Sequence, residues 1–213
     1  FLVHYLSPRW FLRASHYDVT AMLAYLQNIA VLFAINAILA MALNFIMGYA
    51  GIFSLAQAVF FGIGAYTAGY IALNVSDSLL LAMAAAMSIS AVLSMALALP
   101  ALRVRGEYFV AASLGLQMIG VTIFSEWKSV TGGLGGLVGV PPPVIFGYTL
   151  TSTGEFLTLA AVILLAILGI TALLVRGSFG RSLMALRDSE SAAQAYGKNV
   201  NTVKTLSVAV SAA

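Results

Sequence analysis

Of the 213 residues, 62% are hydrophobic and only 8% are charged, with a formal net charge of +3. A soluble domain carries about 25% charged residues, so this chain lacks the polar surface to live in water, and its mean hydropathy of +1.01 assigns it to a membrane. It has no cysteine, which excludes a disulfide framework and thiolate metal sites. Its few basic residues are distributed by loop rather than in a patch, which argues against nucleic acid as a partner.

Residues 1–21 carry Tyr5, Trp10, Phe11 and Tyr17 among Arg9 and Arg13, a mixture that suits an interfacial amino-terminal tail on membrane lipid. His4 and His16 lie far from any carboxylate cluster and read as solvated side chains, so no metal site is expected. The chain lacks an initiator Met and stops inside an apolar run. It therefore reads as a single transmembrane domain, 1–213, cut from a longer protein at both ends.

Residues 22–46 form the first uncharged span. Its Asn28, Asn36 and Asn44 drift about 80° per step around a helix, and intramembrane amides face protein or a water-filled path. Residues 48–69 are apolar but carry five glycines, with Ser54 and Gln57 on one helical face. Two readings stay open there: tight small-residue packing, or a broken helix beside a transport path. A turn with Asp77 leads to a plain span, 79–99, closed by Pro100, whose Ser88, Ser90 and Ser94 can bond back to their own helix.

A short loop, 103–107, holds Arg103 and Arg105. The span 108–125 then aligns Ser113, Gln117 and Gly120 in one polar, small stripe, which points at protein or a pore rather than lipid. The loop 126–155 is rich in glycine and proline, yet lacks the Lys and Ser/Thr of a phosphate loop and the third glycine of a dinucleotide fingerprint. It reads as an irregular re-entrant or surface loop. The span 156–175 follows, and 205–213 begins one more.

Between these last two lies the only long polar stretch, 176–204. Ser178 is a candidate N-cap, helix formers run from Arg181 to Tyr196, and Leu183, Leu186, Ala193 and Tyr196 make one apolar side. Gly197 is a natural helix end. Arg176, Arg181, Arg187, Lys198 and Lys204 outnumber Asp188 and Glu190 there, so the positive-inside bias puts 103–107 and 176–204 in the cytoplasm and 126–155 outside.

Glu190-Ser-Ala192-Ala193-Gln-Ala-Tyr-Gly197 resembles the "EAA" coupling loop of ABC-importer permeases. The stretch Leu43-Asn44-Phe-Ile-Met-Gly48-Tyr-Ala-Gly51-Ile-Phe-Ser54-Leu and the stretch Phe60-Phe-Gly62-Ile-Gly64-Ala-Tyr66-Thr are similar to the signature of branched-chain amino-acid permeases of the LivM type. So are Leu99-Pro-Ala-Leu-Arg103-Val-Arg105-Gly106, Thr131-Gly132-Gly133 with Gly136, and Phe179-Gly180-Arg181-Ser-Leu, with Arg187 beyond. The matches run in family order along most of the chain. Gln57 stands where the family usually carries His, and Phe53 where it often carries Gln or an aliphatic residue. Related urea and short-amide permeases share much of the pattern.

The resemblance implies an all-α polytopic helical bundle in the inner (plasma) membrane, acting as the permease subunit of an ATP-driven importer of branched-chain amino acids. It implies a second permease subunit, in a heterodimer, a periplasmic solute-binding protein, and two cytoplasmic ATPase subunits that bind the loop 176–204. Arg187, Glu190, Ala192, Ala193 and Gly197 are the coupling candidates, and Asn44, Ser54, Gln57 and Gln117 the path candidates. No catalytic residue and no cofactor is expected, because ATP is hydrolysed on the partners. An ion-gradient transporter would place carboxylates inside spans, yet Asp77, Glu107, Glu126 and Glu155 all fall at span edges.

Overall fold

A computed structural model describes the backbone of residues 9–101 and 107–213 and the side chains of 21–97 and 108–213. The first eight tail residues and Arg103 and Arg105 of the short basic loop lie outside the described residues. The rest is an all-α membrane bundle. Helix α1 (Arg9–Asn44) runs into a π-helical turn (Phe45–Tyr49), and after an irregular segment α2 (Gln57–Asn74), α3 (Leu79–Ala101) and α4 (Glu107–Glu126) follow. A loop leads to α6 (Thr153–Arg176), and the loop itself holds the short helix α5 (Lys128–Thr131), a 3₁₀ turn (Gly133–Gly135) and a hairpin of β1 (Val144–Ile145) and β2 (Tyr148–Thr149). Three more helices close the chain, α7 (Ser178–Asp188), α8 (Glu190–Ala195) and α9 (Val200–Ala212). Among the described residues, four segments are long and apolar enough to cross a membrane: Ala21–Tyr49, Leu79–Leu97, Tyr108–Glu126 and Thr153–Arg176. The chain is therefore a multi-pass membrane protein.

The glycine-punctuated stretch is a broken helix. The chain leaves helical geometry at 50–56, with Gly51 at φ +68°, and resumes as α2. The break divides an outgoing leg from a return leg. Gly48, at the end of the first leg, meets Arg187 of α7, whereas Val144 beyond the far end of α2 bonds the Asp77 carbonyl in the turn after it. Gly154 at the start of α6 faces the Gln27 side chain of α1. The early part of α1 thus shares a side with the 75–78 turn and the 126–155 loop, opposite α7 and α8. At 36 residues, α1 is about 54 Å long at 1.5 Å per residue, well beyond the ~30 Å hydrocarbon core.

The packing is built from small residues. Buried polar positions among the described residues are Ser54, Gln57, Ser90, Ser94, Ser113, Thr131, Ser207 and Ser211, none of them charged. Such residues let helix backbones approach in lipid, where no hydrophobic gain separates helix from tail. The stripe on α4 does face protein: Ser113 and Gly120 are buried, and a Cβ on Gly120 would lie 2.6 Å from a Val59 methyl of α2. Reciprocally, the Phe124 ring of α4 fills the gap over Gly62. Gly120→Val should lower stability by about 1–3 kcal/mol through overpacking against a stiff β-branched neighbour. Gly115→Val, on an open face of the same helix, should cost far less; comparison of the two melting temperatures in detergent checks this.

Two expectations on serine and asparagine change. Ser88 and Ser94 bond the carbonyls of Ala84 and Ala91, but the buried Ser90 hydroxyl has no partner; it packs where α3 meets Gly64 of α2. Asn28 and Asn36 are exposed on α1 rather than buried in this chain, and Asn36 donates 2.8 Å to the Leu32 carbonyl of its own helix.

The 126–155 loop has more order than its composition suggests. Thr131 Oγ1 donates to the carbonyls of Phe124 and Trp127, which ties the loop to the end of α4. Helix α6 opens with a capping box: Ser152 Oγ accepts from the Gly154 amide at 3.3 Å, and Glu155 accepts from the Ser152 amide at 3.0 Å. The hairpin turns on Phe146 and Gly147, both with positive φ, a two-residue geometry matched to strand twist. Left-handed backbone costs a residue such as Phe roughly 1–2 kcal/mol.

Candidate functional site

The break and the polar stretch meet in one place. The main buried cluster joins Phe45, Ile46, Ala50, Ile52, Ala56 and Phe60 from the break with Leu183 of α7 and Val208 of α9. Leu183 is fully buried. The core therefore centres on the helix interruption, and one side chain from the polar stretch is planted in it. A π-helical turn precedes the break, and such turns concentrate at functional sites.

Arg187 makes the polar contact that accompanies this packing. Its Nη1 donates 2.8 Å to the Gly48 carbonyl. Gly48 lies in the last turn before the break, where helix carbonyls lack intrahelical partners. A cation there also meets the negative end of the helix dipole. The Arg187 stem packs on Gly51, where a Cβ would fall 2.6 Å from its Cγ. The neighbouring Asp188 lies 3.4 Å from the guanidinium, and both side chains are largely in solvent, so that pair adds little.

The polar stretch differs from expectation in three respects. Gly177 is the cap of α7, and Ser178 is the first helical residue with no capping bond. The helix is not continuous to Tyr196. It stops at Asp188, Ser189 takes an extended backbone, and the Ser189 hydroxyl accepts from the Ala192 amide to start α8. Serine competes well for such a cap because its hydroxyl satisfies an orphan amide. Tyr196 does not join Leu183, Leu186 and Ala193 on the buried side; it is 88% exposed.

Gly197 does end α8. The Gly197 amide bonds the Gln194 carbonyl at 2.9 Å and the Lys198 amide bonds the Ala193 carbonyl at 3.1 Å, the paired bonds of a Schellman end. Gly197 has φ +75° and open space around its missing Cβ, so backbone conformation, not crowding, calls for glycine. Ala193 is buried against Leu186 and Val200, while Glu190, Ala192 and Tyr196 are exposed. Glu190 is held from behind by Lys204 of α9 at 2.8 Å. The coupling candidates Arg187, Glu190, Ala192, Ala193 and Gly197 thus lie on one compact helix–turn–helix unit.

The path candidates do not converge on one cavity. Gln57 is buried and both ends of its amide are engaged: Nε2 donates 2.7 Å to the Ser211 carbonyl, and Oε1 accepts from Ser211 Oγ at 3.2 Å. Ser211 Oγ also donates to the Ala42 carbonyl. Gln57 therefore ties α2 to α9 across the break. Ser54 Oγ accepts from the Ala56 amide and lines a narrow, mostly apolar cavity with Phe60, Phe109, Ser113 and Val208. Asn44 is exposed, its side chain crowding Gly48, and Gln117 is half-buried on α4. Ser113, read from sequence as part of the α4 stripe but not as a path candidate, accepts from the Leu55 amide in the break at 3.0 Å; sequence reasoning missed Ser211, which pairs with a residue 154 positions away. Among the described residues no cluster of His, Asp or Glu could hold a metal.

Comparison with known proteins places this geometry. The sequence profile of the branched-chain amino acid transport system permease component matches residues 25–213. The high-affinity branched-chain amino acid transport system permease protein LivM of Escherichia coli (strain K12) is 28% identical over 209 positions, covering 87% of this chain and 49% of LivM. Its counterpart in Salmonella typhimurium is 29% identical with the same coverage. The chain spans about half the length of these curated relatives. No solved structure matches significantly. With nearly the whole chain inside the profile and a helical bundle to match, this chain belongs to the family of permease components of branched-chain amino acid transport systems.

Proposed function

We propose that the chain is part of a permease subunit of an ATP-driven importer of branched-chain amino acids in the inner membrane. The loop 176–204 faces the cytoplasm and docks two ATPase subunits, the loop 126–155 faces the periplasm, a periplasmic solute-binding protein delivers the solute, and a second permease subunit completes the path. Residues 1–21 form the interfacial tail. The observation that carries the reading is the Arg187–Gly48 bond at 2.8 Å. It joins the unit an ATPase would grip to the helix interruption, where backbone can switch between two arrangements. Glu190, Ala192 and Tyr196 supply the exposed grip, and Gly197 fixes its shape. Asn44 and Gln117 face the solute path, while Ser54 and Gln57 hold the walls of the break.

Arg187→Ala tests this in the full-length protein purified with its ATPases and reconstituted in liposomes. Co-purification of the ATPases and ATP hydrolysis are expected to persist, while ATP-driven uptake of labelled leucine falls at least tenfold. That corresponds to about 1.4 kcal/mol, within the range of one charge-assisted hydrogen bond. Uptake that collapses with the proton gradient while ATP is still present would overturn the reading.

A further inference from the structure

The hairpin β1–β2 presents an aromatic ring that is left bare by the described residues. Phe146 occupies the first turn position with φ +48°, a conformation that suits Asn or Gly rather than Phe, yet its side chain is 92% exposed. Strain kept at a side chain the described residues leave almost fully exposed points to a partner beyond them. Leu134 and Val138 in the same loop are similarly bare, at 90% and 82%. Residues 129–154 contain no charged side chain, so nothing in the segment offers charge complementarity to a soluble protein.

The hairpin's position is set by the ends of the spans. The Val144 amide bonds the Asp77 carbonyl in the turn between α2 and α3, and β1 bridges to Ser78. The Tyr148 hydroxyl donates 2.6 Å to Glu155 in the first turn of α6, and that carboxylate raises the Tyr148 hydroxyl above its ordinary pKa. Tyr148 therefore stays neutral and bonded, which fixes the hairpin beside α6. Phe146 is two residues from Val144, so it reaches no more than about 7 Å from that anchored point, comparable with the interfacial layer of roughly 5–7 Å on each side of the hydrocarbon core. Trp127, half-exposed where α4 ends, lies at the same edge of the bundle, as interfacial aromatics do.

We infer that the tip of this hairpin is a lipid-interface anchor, with the Phe146 ring inserted among the acyl-chain ends nearest the headgroups. The test uses full-length protein in phosphatidylcholine nanodiscs, with Phe146→Trp as the reporter and the other tryptophans changed to phenylalanine. The expected result is blue-shifted emission, quenched several-fold more by lipids brominated near the headgroup than by aqueous iodide. Emission that is red and iodide-quenched in the bilayer overturns the inference. So does emission shielded only when a soluble binding protein is added, which would make the tip a protein-docking surface. Phe146→Cys carrying a spin label gives an independent depth: collisions with oxygen should exceed those with a water-soluble nickel complex, and the reverse order would overturn the inference even if the tryptophan variant folds poorly.

Discussion

Changing Gly180 to alanine is expected to disrupt the corner between α6 and α7. A Cβ at Gly180 would fall on the Val175 carbonyl, with the Val175 Cα 2.5 Å away. These are backbone atoms of the helix that α7 folds back upon, so no side chain can turn aside. The cost should lie at the upper end of overpacking, about 3 kcal/mol, and it would lift Leu183 from the centre of the buried cluster. A fall in melting temperature in detergent, with new protease cleavage within 176–204, checks it. Gly169→Ala is the control, because a methyl there meets nothing within 4 Å. A Gly180 variant as stable as that control would refute the packing argument.

Gly51→Ala is the second large effect, and it acts on the break itself. The residue sits at φ +68°, and a Cβ would lie 2.6 Å from Arg187 Cγ and 3.3 Å from Arg187 Cα. The conformational cost is about 1–2 kcal/mol, and the clash pushes the end of α7 away from Gly48. We expect loss of ATP-driven uptake with assembly intact, as for Arg187→Ala. The double variant should be less than additive, with a coupling on the order of 1 kcal/mol, because both changes remove the same contact. Strict additivity in melting or uptake would show that Gly51 and Arg187 act separately.

Composition and span length were enough to read the bundle, and the ends of α3, α4 and α6 fall within a few residues of the apolar runs that announce them. Gly197 was legible because a left-handed end after helix formers has a local cause. The break between 50 and 56 was visible only as a choice between two readings. Five glycines can serve close packing or an interruption, and here they do both: Gly51 bends the chain while Gly62 and Gly64 receive Phe124 and Ser90. The division of the polar stretch at Ser189 was hidden because the helix propensity of 181–196 is good on balance despite Asp188, Ser189 and Ser191. One serine capping α8 outweighed it. The roles of Arg187 and Gln57 rest on contacts 139 and 154 residues apart, which no local pattern encodes.

The Gln57–Ser211 tie also sets an order of assembly. Gln57 meets Ser211 only after 154 further residues exist, and at 5–20 residues per second that is on the order of ten to thirty seconds of synthesis. Through that interval the side-chain amide of Gln57 lacks the Ser211 hydroxyl and carbonyl that later satisfy it. A polar side chain left unpaired in hydrocarbon is costly. The arrival of α9 is therefore the step that closes the polar seam between the two legs of the break.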